Sequence, residues 1–487
     1  MDAARARCRA YGGRMRIKRF LKRALITAVL ILAALPAWSK VVYHGKVVRQ
    51  LPMEPGEAAG LALSKSSNGS KNPATAPGHF WPHPTGVRPM LALLVDFSDA
   101  PADFPPSAID SLLNVAGYKR FGNHGSVRDF YLDATRGNID IHYDAKGYYR
   151  AKHPKSYYEN QADYAGGDEL AEEVIRSFDA QVDFAAYGTP GEGSLNSIAI
   201  LYAGAEKENG LWGVTTTLDF SLDGKKIGRT YWAAIGKSEM SIATYCHEMG
   251  HMLFNWPDLY NVPKDGLGAH CLMASYADDY DPVPPDEALR ADQGWIEVQD
   301  LVADSRGIYP APANPDKVFR FLNPARSDEG FFAVNRMHTG RYRSLGGQGL
   351  LLFHFDMAWN ETDDSAKAAV MLVPDLGRIK PPVDWFEPGW YFYRGNMAEF
   401  SSSTQAGENA WHDGKASGIR LYDISAPSDT MSFTMGEAVS SLRGPLMATG
   451  TENPIAGRPL YDVRGDRIGQ DSAMSLRSPA FSGPRSR

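Results

Sequence analysis

Cysteine is scarce in this chain, with three residues among 487, at positions 8, 246 and 271. At most one disulfide can therefore form within it. Long apolar runs are equally rare. The stretch from Ala24 to Leu35 is the strongest, and it is too short for a comfortable membrane span. Arg14, Arg16, Lys18, Arg19, Lys22 and Arg23 precede it, and Ala37-Trp38-Ser39 follows it as a small-x-small site. Residues 1–39 thus read as a secretory signal peptide, and export without a stable membrane span is expected. Met15 begins a better-proportioned leader than Met1. A basic surplus is also missing. The leader holds nine of the 51 Lys and Arg and one of the 57 Asp and Glu, so the rest carries 42 positive against 56 negative charges, a net of −14. That balance suits a soluble exported protein and argues against a nucleic-acid partner. No internal repeat is present.

About 450 residues remain, too many for one core, so two folded domains are expected. Residues 40–86 open with alternation suited to a short hairpin (41–48) and then turn to Pro, Gly, Ser and Ala, the texture of a linker or short propeptide. His79 and His83 lie there in a proline-rich loop. From Val87 to residue 298, strands at 90–97, 139–149 and 197–203 alternate with helices at 125–132 and 165–178, which implies a twisted α/β sheet packed on helices. From 299 to 437 the texture becomes β, with runs at 318–321, 330–334, 349–355 and 431–435 suggesting a sandwich or barrel-like module. Residues 438–487, rich in Gly, Pro, Ser and Arg, read as a largely disordered tail with one candidate strand at 459–463.

The most informative stretch is Thr244-Tyr245-Cys246-His247-Glu248-Met249-Gly250-His251. Two histidines four apart on a helix stack on one face and can aim a nitrogen each at a common atom, at the roughly 2.0–2.1 Å that zinc prefers. Glu248 projects beside that point, where a carboxylate can take a proton from a metal-activated water. Ser238 reads as the N-cap and Glu239 as a first-turn acid. Ile242, Tyr245, Met249 and Met252 make a separate apolar face. Asp258 arrives seven residues after His251, beyond a helix-breaking Asn-Trp-Pro.

With Pro-Asp-Leu-Tyr at 257–260 and Cys-Leu-Met-Ala-Ser at 271–275, the chain resembles the secreted metallopeptidases related to immune inhibitor A, in the metzincin clan. The 94–97 strand, the 126–131 helix and the 288–295 helix extend the likeness. The resemblance implies Zn²⁺ as cofactor, His247, His251 and Asp258 as ligands, Glu248 as catalytic base and Met273 as the methionine of the turn beneath the metal. The clan's usual spacing would place glycine at 254 and a ligand at 257, where Phe254 and Pro257 stand. One extra residue in the turn repairs this, with Asn255 in the left-handed conformation. Ser275 stands where some metzincins carry a metal-reaching tyrosine, and Tyr276 is one residue too far.

Cys246 and Cys271 flank the metal helix and the methionine turn. A bridge between them is expected, closing about 25 residues and worth roughly 3 kcal/mol in the chain-entropy picture. No cysteine lies between 40 and 245 to cap a zinc ion with thiolate. Asp278, Asp279 and Asp281 read as solvated surface or, alternatively, as a Ca²⁺ site. His270 and His354 read as structural histidines. The function these features imply is hydrolysis of peptide bonds in protein or peptide substrates. The competing reading is a secreted binding or adhesive protein with a structural or inactive zinc site. It draws on the irregular 254–258 turn and on surface aromatics at Trp385, Trp390, Tyr391 and Tyr393.

Overall fold

Along Gly86–Asp96 successive side chains enter two different cores. Met90, Ala92 and Leu94 face one apolar cluster, Leu91, Leu93 and Val95 another, and all six are buried. Burial on both faces is why this strand reads as an unbroken apolar run and not as an alternation. It lies inside a five-stranded sheet ordered Ile139–Arg150, Gly86–Asp96, Ile198–Tyr202, Arg229–Ala234, Val214–Thr217. The first four strands are parallel and the last is antiparallel. The computed structural model describes residues 81–436 except 162–163, 189–192, 208–209, 260–266, 314–316, 358–369, 373–389 and 406, together with the strands Val41–Tyr43 and Lys46–Val48. The leader, His79, Trp385 and the tail lie outside the described residues.

Helices cover both faces of the sheet. Pro106–Asn114, Val127–Ala134 and Ala243–Phe254 place Ile109, Leu112, Phe130, Tyr131, Tyr245 and Met249 in the first cluster. Ala165–Ser177 places Leu170 and Val174 in the second. Its Gly167 permits close approach, because a β-carbon there would meet the Trp232 ring at 2.2 Å. The helix Val127–Ala134 starts with a capping box, Ser126 accepting from the Asp129 N–H and Asp129 accepting from the Ser126 N–H. That arrangement satisfies two N-terminal donors at once.

The second half is also a two-faced sheet, ordered Glu297–Leu301, Lys317–Asn323, Arg326–Arg336, Gly349–Asp356, Val370–Leu372. The first pair is parallel and the rest antiparallel. Phe319, Phe321, Phe331 and Leu352 pack with Phe433 and Met435 of the Gly307–Pro312/Thr430–Met435 ribbon. Val318, Phe332, Leu351 and Phe353 belong instead to the cluster that contains Met249 and Met273. The β-rich segment therefore shares a core with the helix that carries His247. The fold is mixed α/β, with several sheets and few helices.

The hairpin expected at 41–48 pairs Val41–Tyr43 with Lys46–Val48. Three other expectations need correction. The helix bearing the histidines begins at Ala243, not Ser238, and Ile242 provides no side-chain cap. The Asp279 carbonyl accepts from the Ala243 N–H instead. Cys246 and Cys271 are two buried free thiols, not a bridge. Cys271 Sγ is turned to Asp286 Oδ2 at 3.3 Å and accepts from the Met273 N–H, while Cys246 lies in the apolar cluster under Tyr131. Finally, Tyr391 is buried, and Trp390 and Tyr393 are half-buried, so they are not a surface aromatic patch. Among the described residues no helix is long and apolar enough to cross a membrane.

Candidate metal centre

The helix Ala243–Phe254 is held by its backbone between the helix Val127–Ala134 and the sheet. Tyr131 Oη donates to the Cys246 carbonyl at 2.6 Å, and Arg229 Nε donates to the Met252 carbonyl at 2.8 Å. The second contact places a cation at the helix C-terminus, where the dipole favours it. Asn255 then ends the helix in the left-handed region (φ 55°, ψ 32°), its N–H reaching back to Gly250 and His251. This is the conformation the irregular spacing demands. Phe254, standing in place of glycine, stacks on Trp256 at 4.1 Å and meets Trp295 edge-on at 5.4 Å. The turn is rebuilt around an aromatic stack.

The rebuilt turn returns Asp258 to the two histidines. Asp258 Oδ1 lies 3.0 Å from His247 Nε2 and 3.0 Å from His251 Nε2, and the two Nε2 atoms are 3.1 Å apart. The three side chains form a group able to hold a metal ion. Each ring is fixed from behind. His247 Nδ1 lies 2.9 Å from the Leu272 carbonyl and His251 Nδ1 lies 2.6 Å from the Trp256 carbonyl. A carbonyl only accepts, so both Nδ1 atoms carry hydrogen and the Nε2 atoms are the ones turned to the common point, free to bind a metal once His251 gives up its second proton. Three acceptor atoms converging this closely make a cation-binding set. Donors at about 2.0–2.1 Å from a tetrahedral zinc lie roughly 3.3 Å apart, close to what is seen.

Electrostatics follow from the same contacts. Burial alone would raise Asp258, but the two imidazoles hold it well below the usual carboxylate range. Burial alone would lower His251, yet Asp258 and then Glu248 push it up to about 9. In the metal-free protein a proton is thus the cation that relieves the cluster.

Glu248 is buried beside the triad, and burial raises its carboxyl above the ordinary value against the pull of both imidazoles. Thr215 Oγ1, on the antiparallel edge strand, donates to Glu248 Oε2 at 2.8 Å. Met273 packs beneath the helix against Gly250. Tyr276 comes nearer than its spacing suggests, its ring 6.2 Å from that of His247. Two consecutive left-handed residues, Tyr276 (φ 39°) and Ala277 (φ 63°), shape that turn.

Thr215 and Glu206 were not readable as site residues, because each comes from a different part of the chain without a motif of its own. Oxygens of Glu206 and Glu248 both lie within 3.6 Å of the point where a Gly213 β-carbon would stand. Burial, with Asp279 and Glu248 nearby, pushes Glu206 up to about 8. Glu206 also lines a cavity of about 230 Å³ with Lys237, Glu239, Thr244, Tyr245 and Asp279.

The remaining candidates fall elsewhere. Asp281 is buried and paired with Arg341 at 3.2 Å and Arg343 at 2.9 Å, and Asp278 accepts from the Tyr280 and Asp281 N–H groups. These are structural pairings, which corrects the solvated reading and leaves the Ca²⁺ reading without support. His270 is buried with its Nε2 at 2.9 Å from Tyr391 Oη. His83 pairs with Asp292 at 3.1 Å.

No protein-family profile matches the chain, and no curated protein matches it. Two solved structures of wild-type OgpA from Akkermansia muciniphila, in different crystal forms, align over 52% of this chain and 72% of that chain, each at 14% identity and a TM-score of 0.29. A likeness this weak carries no argument about fold or function.

Proposed function

We propose that the protein is an exported zinc-dependent endopeptidase of the metzincin type, similar to the immune inhibitor A-like enzymes. The observation that carries the proposal is the convergence of His247 Nε2, His251 Nε2 and Asp258 Oδ1 within 3.1 Å of one another, with the Glu248 carboxylate buried alongside. Zinc held by these three side chains supplies Lewis-acid polarisation of a water molecule and of the scissile carbonyl.

The chain's own residues account for the rest. Glu248 accepts a proton from the attacking water and delivers it to the departing amine. Thr215 fixes Oε2 of that carboxylate, which leaves Oε1 to meet water. The raised affinity of Glu248 for a proton suits a group that must both take and return one. Leu272 and Trp256 set the imidazole orientation through their carbonyls, so the 271–275 turn and the post-helix turn both shape the ligand set.

The structural-site reading is less well supported. Three side chains make this cluster among the described residues, the number typical of catalytic zinc sites. A carboxylate held in place by Thr215 would also have no task there. The test is removal and return of the metal. Dialysis against a chelator should abolish hydrolysis of casein, and stoichiometric zinc should restore it. Full hydrolysis by a zinc-free preparation would exclude the mechanism. Export through residues 1–39 is checked by N-terminal sequencing of protein from the culture medium.

A further inference from the structure

In the antiparallel pair Arg326–Arg336/Gly349–Asp356, Glu329 stands opposite Asp356 and Phe331 opposite His354. Side chains two apart on a strand share a face, so Glu329, His354 and Asp356 project together. His412, from the loop after Trp411, is pinned onto this group, its backbone N–H donating to Glu329 Oε1 at 2.6 Å. His354 Nε2 lies 3.2 Å from Glu329 Oε1, and His412 Nδ1 lies 2.9 Å from Asp356 Oδ2 and 3.9 Å from Glu329 Oε1. The two imidazole rings are in contact, their centroids 4.1 Å apart.

Charge is unevenly balanced here. Glu329 and Asp356 are both fully buried. The guanidinium facing them is that of Arg326, 2.5 Å from Asp356 Oδ1 and 3.7 Å from Glu329 Oε2, and it is shared with Asp328 at 3.1 Å. Among the described residues, two buried carboxylates, two touching imidazoles and the shared Arg326 guanidinium make a cluster that a divalent cation would neutralise.

We propose that Glu329, His354 and His412 form a second metal site, selective for a divalent transition ion such as zinc, that fastens the loop around His412 to the sheet. One ligand atom from each lies within 4.8 Å of the others. Donors to a shared zinc can be at most about 4.2 Å apart, a gap that small side-chain rotations close. Two imidazoles and a carboxylate match zinc better than calcium, which takes oxygen ligands. Asp356 Oδ2, 2.9 Å from His412 Nδ1, holds the His412 ring through one nitrogen, so the metal would take the other, Nε2. Its carboxylates are engaged, Glu329 by Asn323 and Asp356 by Arg326, so none stands beside it as a base the way Glu248 stands beside the His247 centre, and its role is structural.

The test counts metal on the full chain purified without chelator. Wild-type protein should hold two zinc equivalents. His251→Ala should hold one, His412→Gln one, and the two substitutions together none. Adding zinc to metal-free His251→Ala should raise its unfolding temperature by several degrees, and His412→Gln in that background should cancel the shift. Should His412→Gln fail to fold, Glu329→Gln provides the same comparison, and the zinc-dependent shift in His251→Ala needs no further variant. A folded His251→Ala protein that binds no zinc and shows no zinc-dependent shift overturns the proposal. A purely protonic cluster would give that result.

Discussion

The Met273 sulfur lies 2.5 Å from the point a β-carbon on Gly250 would occupy. Gly250 stands between the two histidines, so the methionine turn and the metal helix touch through the one residue that has no side chain. The same turn presents the Leu272 carbonyl to His247 Nδ1. Gly250→Ala must displace the Met273 thioether, which packs against Trp256 and the helix, or bend the helix. It should destabilise the protein by about 1–3 kcal/mol, the usual cost of overpacking. Met273→Ala in the same chain should recover part of that loss. Chemical denaturation of the single and double variants measures both, and an unchanged midpoint for Gly250→Ala would contradict the packing.

Thr215 acts on Glu248 through one hydroxyl. Thr215→Val keeps the shape and removes the donor at 2.8 Å. A net hydrogen bond to a charged group is worth about 1.5–3 kcal/mol, so kcat should fall by roughly tenfold to a hundredfold. KM and zinc content should stay as they are. Thr215→Ser should recover most of the rate, and a Thr215→Val enzyme with wild-type kcat would remove Thr215 from the mechanism.

Metal binding should depend on pH with a definite sign. In the metal-free protein His251 keeps its proton up to about pH 9 because Asp258 faces it. The metal must displace that proton, so zinc affinity should rise with pH, up to tenfold per unit, and level off above about 9. Calorimetry in buffers of different ionisation enthalpy should detect about one proton released per zinc at pH 7. Affinity independent of pH between 6 and 9 would show that His251 is already neutral.

Because Cys246 and Cys271 are free and buried, the chain without its leader should show two thiols by colorimetric titration only after denaturation. Reducing agent should leave the unfolding temperature unchanged. An intact mass two daltons below the reduced value would mean that a bridge forms.

Arg336 ends its strand inside the protein and donates through Nη2 to Glu287 Oε1, with both side chains essentially inaccessible. Removing one partner strands a buried charge. Glu287→Gln should therefore cost about 3–5 kcal/mol, while replacing both partners with apolar residues of similar size should cost much less. Denaturation of the two variants distinguishes these cases.

Much of this was legible in the residues, wherever local physics decides. The run from Met90 read as a buried strand because both of its faces are apolar. Ser126 marked a helix start because its cap partner lies only three residues away. The spacing of His247 and His251 placed both on one helix face. Asn255 followed from the need for a left-handed residue in a lengthened turn. What stayed hidden depends on distant segments. The first turn of the metal helix is capped by the Asp279 carbonyl, so Ser238 misled. Proximity in chemistry suggested a disulfide, but Cys271 is turned to Asp286. Thr215 reaches Glu248 across 33 residues, and no local pattern announces it. Val318, Phe332 and Leu351 of the β-rich segment share the apolar cluster of the metal helix, a long-range association that no local pattern announces.

The most direct test of the central claim measures zinc content and peptide hydrolysis on the same preparations of Glu248→Gln and His251→Ala. If the triad holds the metal and Glu248 moves the proton, Glu248→Gln retains zinc at the His247 centre and loses at least a hundredfold in kcat, while His251→Ala loses both. A Glu248→Gln protein that hydrolyses peptides at the wild-type rate would contradict the account.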